Sequence, residues 1–250
     1  MKLQIDHLSK HFGDLTVFDQ LSLTMESGNI YCLMAPSGKG KTTLFRILMG
    51  FEHADSGQIT GLNHARISAV FQEDRLCEAF TPLDNVYMAA APAFTKAQIR
   101  KELLALLPED ALNRPVCTLS GGQKRRTAIC RALCAPFDLL IMDEPFTGLD
   151  EDTRLEVIQY IKKKERREAY APQHSSAIRY QRPQRYPDPS VNWLLYTETA
   201  ALVKVSISGI LQSDFVYVIM PLGKKRCYMP MMAKRKPRSL ATSGLSSHFM

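Results

Sequence analysis

Residues 35–43 read Ala35-Pro36-Ser37-Gly38-Lys39-Gly40-Lys41-Thr42-Thr43 and follow the apolar run Ile30-Tyr31-Cys32-Leu33-Met34. A buried strand that runs into such a loop and then into a helix predicts an α/β sheet that binds an anion at its strand ends. The residue types follow from the chemistry. Gly38 and Gly40 let the backbone curl until its N–H groups point at phosphate oxygens. Lys41 brings a compact positive charge to the outer phosphates, and the Thr42 hydroxyl can ligate Mg²⁺. The helix starting near Lys41 turns its partly positive N-terminus toward the same anion. The position where such loops usually carry their first glycine is Ala35, a change of one methyl group. The alternative is a Gly/Ser turn that happens to carry Lys-Thr; the flanking strand and helix argue against it.

Further motifs follow. Leu119-Ser120-Gly121-Gly122-Gln123 precedes Asp138-Leu139-Leu140-Ile141-Met142-Asp143-Glu144-Pro145, and Gly148-Leu149-Asp150 comes next. Leu139–Met142 is a short continuous apolar strand, as in a parallel sheet covered on both faces. Asp143 falls at its carboxyl end, where open α/β sheets bind ligands, and can hold Mg²⁺ directly or through water. Ser120 and the glycines open an amphipathic helix with apolar positions Ala128, Ile129, Ala132 and Leu133. Taken alone, Ser120 is an ordinary N-cap and Asp143-Glu144 a solvated strand end.

In this order and spacing the motifs resemble the ATP-binding subunits of ABC transporters, over residues 1–164. The resemblance implies a P-loop NTPase α/β sheet with an antiparallel β subdomain and a small helical subdomain, followed by an irregular tail. It implies ATP and Mg²⁺ as cofactors. Ala35 to Thr43 would cradle the phosphates, and Thr42, Gln72 and Asp143 would serve the metal. Glu144 would be the general base, with Lys41 and Gln72 completing the catalytic set. Ser120, Gly121, Gly122 and Gln123 would contact the γ-phosphate held by another subunit, and Asp150 would lie at the same interface. Two ATP molecules are then clamped between two chains arranged head to tail. Phe12, in Lys10-His11-Phe12-Gly13, falls where the family places a ring against adenine; the alternative is a core phenylalanine.

The phrases Val70-Phe71-Gln72-Glu73-Asp74-Arg75-Leu76 and Thr81-Pro82-Leu83-Asp84-Asn85-Val86 resemble importers of the nitrate, sulfonate and taurine group. The implied partners are an identical or related cassette, transmembrane permease subunits and an extracytoplasmic substrate-binding protein. The implied location is peripheral, on the cytoplasmic face of the cell membrane. No nucleic-acid partner is expected. Soluble relatives acting in DNA repair or translation usually carry a long insertion or two cassettes, and this chain has neither pattern.

The 250-residue length suits one α/β domain with a sizeable core. Ala201–Met220 contains Lys204, Ser206, Ser208 and Asp214, which makes it a poor membrane span. No secretory signal pattern opens the chain, and six scattered cysteines fit a reduced compartment. Cys130 and Cys134, one helical turn apart, read as small hydrophobes.

The layout up to Lys164 is regular. Leu3–Leu8, Leu21–Met25, Gly57–Thr60 and Ile67–Phe71 read as further strands. Thr42–Met49, Pro82–Ala90, Thr95–Leu107 and Glu151–Lys164 read as helices, with Thr95 an N-cap.

After Lys164 the character changes. Residues 1–164 carry 19 Lys+Arg against 20 Asp+Glu, and residues 165–250 carry 13 against 5. The net charge of +7 therefore arises in the tail, which also holds half of the 14 prolines. The family places an apolar strand ending in a γ-phosphate-sensing histidine here. His174 has a plausible distance from Glu144 along the sequence, but Arg166–Gln173 is no buried strand, so His174 is not assigned that role. Two readings stay open. One is a slip of reading frame near Lys162-Lys163-Lys164. Codons for Tyr170–Ser176 read one base later permit Met, Leu, Leu, Ser, Thr, His, Gln. The other is a genuine basic appendage that binds nucleic acid or an anionic membrane, with Tyr180, Tyr186, Trp193 and Tyr196 near arginines. With the strand and histidine missing, a chain that binds nucleotide but hydrolyses it poorly is the alternative function.

Overall fold

The computed structural model describes residues 1–34, 38–169, 184–185, 194–198 and 215–220. Ala35, Pro36, Ser37 and His174 lie outside them, as do Tyr180, Tyr186 and Trp193.

The chain opens with β1 (Lys2–Phe12) and β2 (Leu15–Glu26), an antiparallel pair closed by a tight turn in which Gly13 has φ 56°. β4 (Ser56–Thr60) pairs with the other edge of β1, giving a three-stranded sheet in the order β2-β1-β4. Burial along β1 falls on Leu3 and Ile5 and then on Leu8. The alternation first breaks between Ile5 and Leu8, where the register with β2 shifts, and Leu8, Ser9 and Lys10 are then buried in succession. His7, at φ 50°, is the bulged residue that allows it. Gly57 lies against this bulge, and a Cβ there would run into the His7 carbonyl. This is the expected antiparallel subdomain.

The second sheet has six strands in the order β5-β6-β9-β3-β8-β7. It comprises β3 (Asn29–Met34), β5 (Ile67–Val70), β6 (Leu139–Asp143), β7 (Gln184–Arg185), β8 (Leu194–Glu198) and β9 (Phe215–Met220). Every residue of β6 is buried. Leu139 and Ile141 join one apolar cluster, with Tyr31, Leu33 and Phe45; Leu140 and Met142 join the other, with Val86, Ile129 and Val157. The period of two along β6 thus feeds two cores, so both faces of the sheet are covered.

Two expectations change here. The sheet is mixed: β5 and β6 are parallel, but β9 runs antiparallel to both β6 and β3. The tail is also not irregular throughout, since it supplies β7, β8 and β9. The physical reason lies in the sequence Phe215-Val216-Tyr217-Val218-Ile219-Met220, a continuous aromatic and β-branched run of the kind an interior strand requires. It occupies the position between the strand that leads to the phosphate loop and the strand that ends at Asp143. The tail enters β9 at the phosphate-loop end, because Phe215 pairs with Met34 and Met220 with Asn29.

Helix α1 (Lys41–Leu48) follows the loop. A helical layer is built from α2 (Pro82–Ala90), α3 (Lys96–Leu104) and α4 (Gly121–Cys134), with short 3-10 turns at Glu109–Asn113 and Val116–Thr118. Thr81 caps α2, and Thr95 forms a reciprocal capping box with Gln98 at the start of α3. α3 ends at Leu104, before the expected Leu107. The last turn tightens, with Leu106 N–H bonding to the Leu103 carbonyl, and Pro108 disfavours helical backbone at Leu107. Ala128, Ile129, Ala132 and Leu133 are all buried, and Cys130 and Cys134 pack in the same core with sulfurs 4.0 Å apart.

Helix α5 (Glu151–Ala169) continues five residues past Lys164. Lys164 Nζ pairs with Glu102 Oε1 at 2.9 Å, and the Tyr160 hydroxyl donates to Glu102 Oε2 at 2.9 Å, which ties α5 to α3. Among the described residues no helix is long and apolar enough to cross a membrane.

Candidate functional site

The site is assembled where β3, β5 and β6 end. Gly40 caps α1 at φ 83°, and its carbonyl accepts the Leu44 N–H at 2.9 Å to start the helix. A Cβ at Gly40 would strike Val17 and press on the Phe18 ring. Glycine is therefore demanded twice, by the positive φ and by the contact with β2. Gly38 also has positive φ, with Lys39 exposed beside it. Lys41 is 6 % exposed and Thr43 partly buried.

Thr42 is exposed, and its hydroxyl donates to Asp143 Oδ2 at 2.9 Å. The contact joins the start of α1 to the end of β6. Asp143 is buried, and burial holds its carboxyl above the usual range; the Thr42 hydrogen bond and the Lys41 charge oppose that shift. A hydroxyl beside a desolvated carboxylate is the oxygen donor set that suits Mg²⁺. The residues present therefore fit the metal and the triphosphate.

Glu144 follows at φ 47°, a left-handed conformation uncommon for a non-glycine residue. Its side chain accepts a hydrogen bond from Thr147 Oγ1 at 3.4 Å, and its carbonyl accepts from the Thr147 N–H at 3.2 Å. The turn swings the chain out of β6, so Asp143 is buried while Glu144 is partly exposed. Adjacent carboxylates thus receive different surroundings, one suited to holding a cation and one to touching water.

Gln72, beyond the end of β5, is exposed. Its carbonyl accepts from Arg125 Nη2 at 2.8 Å, and the same nitrogen reaches the Glu144 carbonyl at 3.4 Å. The structure thus brings Gln72 and Glu144 together through Arg125, a residue the sequence reading did not single out. Helical phase could have found it, since Arg125 lies one and two turns before the buried Ile129 and Leu133.

Ser120, Gly121, Gly122 and Gln123 form a second group. Ser120 caps α4: its Oγ accepts the Gln123 N–H at 3.2 Å, and Gln123 Oε1 accepts the Ser120 N–H at 3.0 Å. The Ser120 hydroxyl proton stays available to an acceptor from outside. A Cβ on Gly122 would lie 3.4 Å from Leu149, so this turn rests on the segment leading to Asp150. Asp150 caps α5 by accepting from the Thr153 N–H at 2.9 Å and the Thr153 hydroxyl at 2.8 Å, and these bonds hold its carboxyl below the usual range. Ser120, Gly121 and Asp150 are exposed, and Gly122 and Gln123 are partly buried.

Phe12 ends β1 with 48 % of its surface exposed, so it is not a core residue. Lys10 Nζ lies 4.8 Å from its ring centroid and pairs with Glu52 at 3.0 Å and Asp55 at 3.3 Å.

Comparison with known proteins agrees with this arrangement. The family model described as ABC transporter matches residues 18–147. The sulfate/thiosulfate import ATP-binding protein CysA of Vibrio cholerae is 38 % identical over 180 residues, covering 65 % of this chain and 48 % of that protein. The proteins of the same name from Ralstonia nicotianae and Escherichia coli are 37 % and 35 % identical, each covering 65 % of this chain and 49 % of the relative. The chain thus spans about half the length of the curated relatives it matches.

Among solved structures, an ABC transporter ATP-binding protein from Pyrococcus furiosus superposes with a TM-score of 0.58 at 24 % identity, covering 66 % of this chain and 87 % of that one. A dimeric bacterial ABC transporter cassette gives 0.57 at 24 %, covering 66 % and 84 %. These two likenesses bear on the fold. The family match spans more than half of the sequence, from β2 to the turn after Glu144, and the chain belongs to the ABC transporter family.

Proposed function

We propose that this chain is the ATP-binding and ATP-hydrolysing subunit that energises a membrane importer. The observation that carries the reading is the Thr42–Asp143 hydrogen bond with Glu144 next in sequence. It supplies a metal-holding pair and a carboxylate base at the mouth of a phosphate-binding loop. Import is favoured by the curated relatives, which are named for import of sulfate and thiosulfate. The imported solute is accordingly an oxyanion of this kind. The nitrate, sulfonate and taurine likeness of residues 70–86 belongs to the same broad chemistry.

Residues 1–164 form the cassette, and residues 165–250 are a separate basic tail that lends strands to its sheet. Lys41 and the loop amides from Ala35 to Thr43 hold the phosphates, while Phe12 offers a ring to the base. Thr42 and Asp143 hold Mg²⁺, with Gln72 in the same network. When bound, the metal neutralises charge on the β- and γ-phosphates. Glu144 orients water and takes its proton. Ser120 and Gly122 close on the nucleotide from a second, head-to-tail chain, with Gln123 and Asp150 lining the join. Permease subunits and an extracytoplasmic binding protein complete the assembly at the cytoplasmic face of the membrane. The test is Mg·ATP binding and phosphate release by the purified chain, with Glu144→Gln as the blank. Absence of affinity for Mg·ATP would sink the reading.

A specific observation favours a second reading, in which nucleotide is bound but turned over weakly. The strand between β3 and β6 enters at the phosphate-loop end and leaves at the opposite end. A histidine following β9 would therefore be carried away from the phosphates. Phosphate release at the level of the Glu144→Gln blank, with binding intact, would select this reading.

A further inference from the structure

Arg125 lies in the first turns of α4 and is 4 % exposed. Nη1 donates to the Phe71 carbonyl at 2.6 Å, and Nη2 to the Gln72 carbonyl at 2.8 Å and the Glu144 carbonyl at 3.4 Å. Nη1 also lies 3.2 Å from Asp74 Oδ1 in an ion pair. Three backbone acceptors and one carboxylate, from two separate loops, converge on one planar cation. A lysine could not reproduce this, because its single nitrogen cannot span both loops. A buried guanidinium is tolerated only when its donors are well used, as they are here.

We propose that Arg125 is a positioning residue for hydrolysis, fixing Gln72 and Glu144 relative to each other and tying both to the helix that begins at Ser120. The proposal rests on the reading of Gln72 and Glu144 given above. Glu144 keeps its φ of 47° where neighbours hold it, and the bond from Arg125 to its carbonyl is one such restraint. Arg131, about three turns along from the start of the same helix, donates to the carbonyls of Asp74 and Arg75 at 3.0 and 2.7 Å. The loop after β5 is therefore carried by α4 as a body. A displacement of the Ser120 end, such as contact with a second chain would produce, reaches the Gln72 and Glu144 backbones through Arg125.

The test compares the full parent chain with Arg125→Lys and Arg125→Met. Arg125→Lys keeps a charge beside Asp74 and removes the fork, and it serves if Arg125→Met fails to fold. Hydrogen exchange is followed at residues 71–76 and 144–149, together with affinity for Mg·ATP and the single-turnover rate. Exchange is expected to rise at both segments together by about tenfold, while the rest of α4 and β6 keeps its protection. The single-turnover rate is expected to fall by about tenfold or more, with affinity altered less than about threefold. Unchanged exchange, a rise at one segment alone, a uniform rise across the domain, or a loss of affinity matching the loss of rate would each overturn the proposal. Failure of the parent to bind Mg·ATP strikes the functional reading, while the exchange comparison still decides the role of Arg125.

Discussion

The Thr42 hydroxyl donates to Asp143 Oδ2 at 2.9 Å across 101 residues of sequence. The bond ties the helix after the phosphate loop to the strand that ends at Asp143, whose carboxyl is buried.

That burial has a thermodynamic consequence. Burial raises the Asp143 pKa in the folded chain above its unfolded value, with Thr42 and Lys41 offsetting part of the shift. The folded state then binds the proton at higher pH than the unfolded state, so this group adds stability as pH falls through its folded pKa. Above that folded pKa the ionised carboxylate is a net cost. Asp143→Asn, which can still accept from Thr42, should raise Tm at pH 7 by about 2–4 °C, the shift that about 1 kcal/mol produces in a domain of this size. The gain should shrink on titration from neutral pH toward the ordinary carboxylate range. Magnesium-dependent turnover should be lost in the same variant. Thermal unfolding at several pH values checks the first part and phosphate release the second; a lower Tm at pH 7 would refute the assignment of burial as the main cause.

Glu144 separates chemistry from strain. Glu144→Gln keeps the shape and removes the proposed base, so ATP affinity should persist while turnover drops by roughly 10²–10⁴. Glu144→Gly removes the base and also relieves the left-handed backbone, so it should unfold later than Glu144→Gln by about 1 kcal/mol. Equilibrium binding with labelled ATP, phosphate release and denaturant melts separate the three quantities. Parental turnover in Glu144→Gln would remove the residue from the role of base.

Much of this was legible in the sequence because local rules and global fold agree. Pro82–Ala90 reads as a helix from its sequence, and the helix has those bounds. Ser120 and Gln123 have the spacing of a capping box and form one. The elements harder to read depend on distant partners. Arg125 sits in a run of three bases, Lys124-Arg125-Arg126, that suggests a solvated face. The carbonyls of Phe71, Gln72 and Glu144, with the Asp74 carboxylate, explain why the middle base is buried. β9 was missed for the converse reason. Its apolar run lies in a stretch of basic and proline-containing sequence, and strand pairing across the sheet has no local signature.

Gly40 tests whether the loop can accept a side chain. Gly40→Ala places a methyl against Val17 and Phe18 and holds alanine at φ 83°. Together these should cost roughly 1–3 kcal/mol of stability. The loop would also be pushed off β2, so ATP affinity should fall. Adding Val17→Ala relieves the closer contact and leaves the Phe18 contact and the dihedral, so the double variant should recover only part of the loss. Denaturant melts of both variants, alongside ATP binding, read the two contributions. Full recovery in the double variant would mean that the dihedral carries no cost.

The antiparallel strand from the tail makes the last prediction. Val218 pairs with Tyr31 on one side and with Ile141 on the other. Proline there has no N–H to give the ladder, and its ring disturbs the pairing of an interior strand. Val218→Pro should therefore destabilise the chain by about 3 kcal/mol, lowering Tm by about 6–12 °C. Because Phe215 pairs with Met34, the last residue before the phosphate loop, the same substitution should also weaken ATP binding. Thermal melts and labelled-ATP binding on the full chain measure both. A Val218→Pro chain that melts with the parent and binds ATP equally well would show that the sheet stands without β9, and that the tail contributes nothing to the nucleotide site.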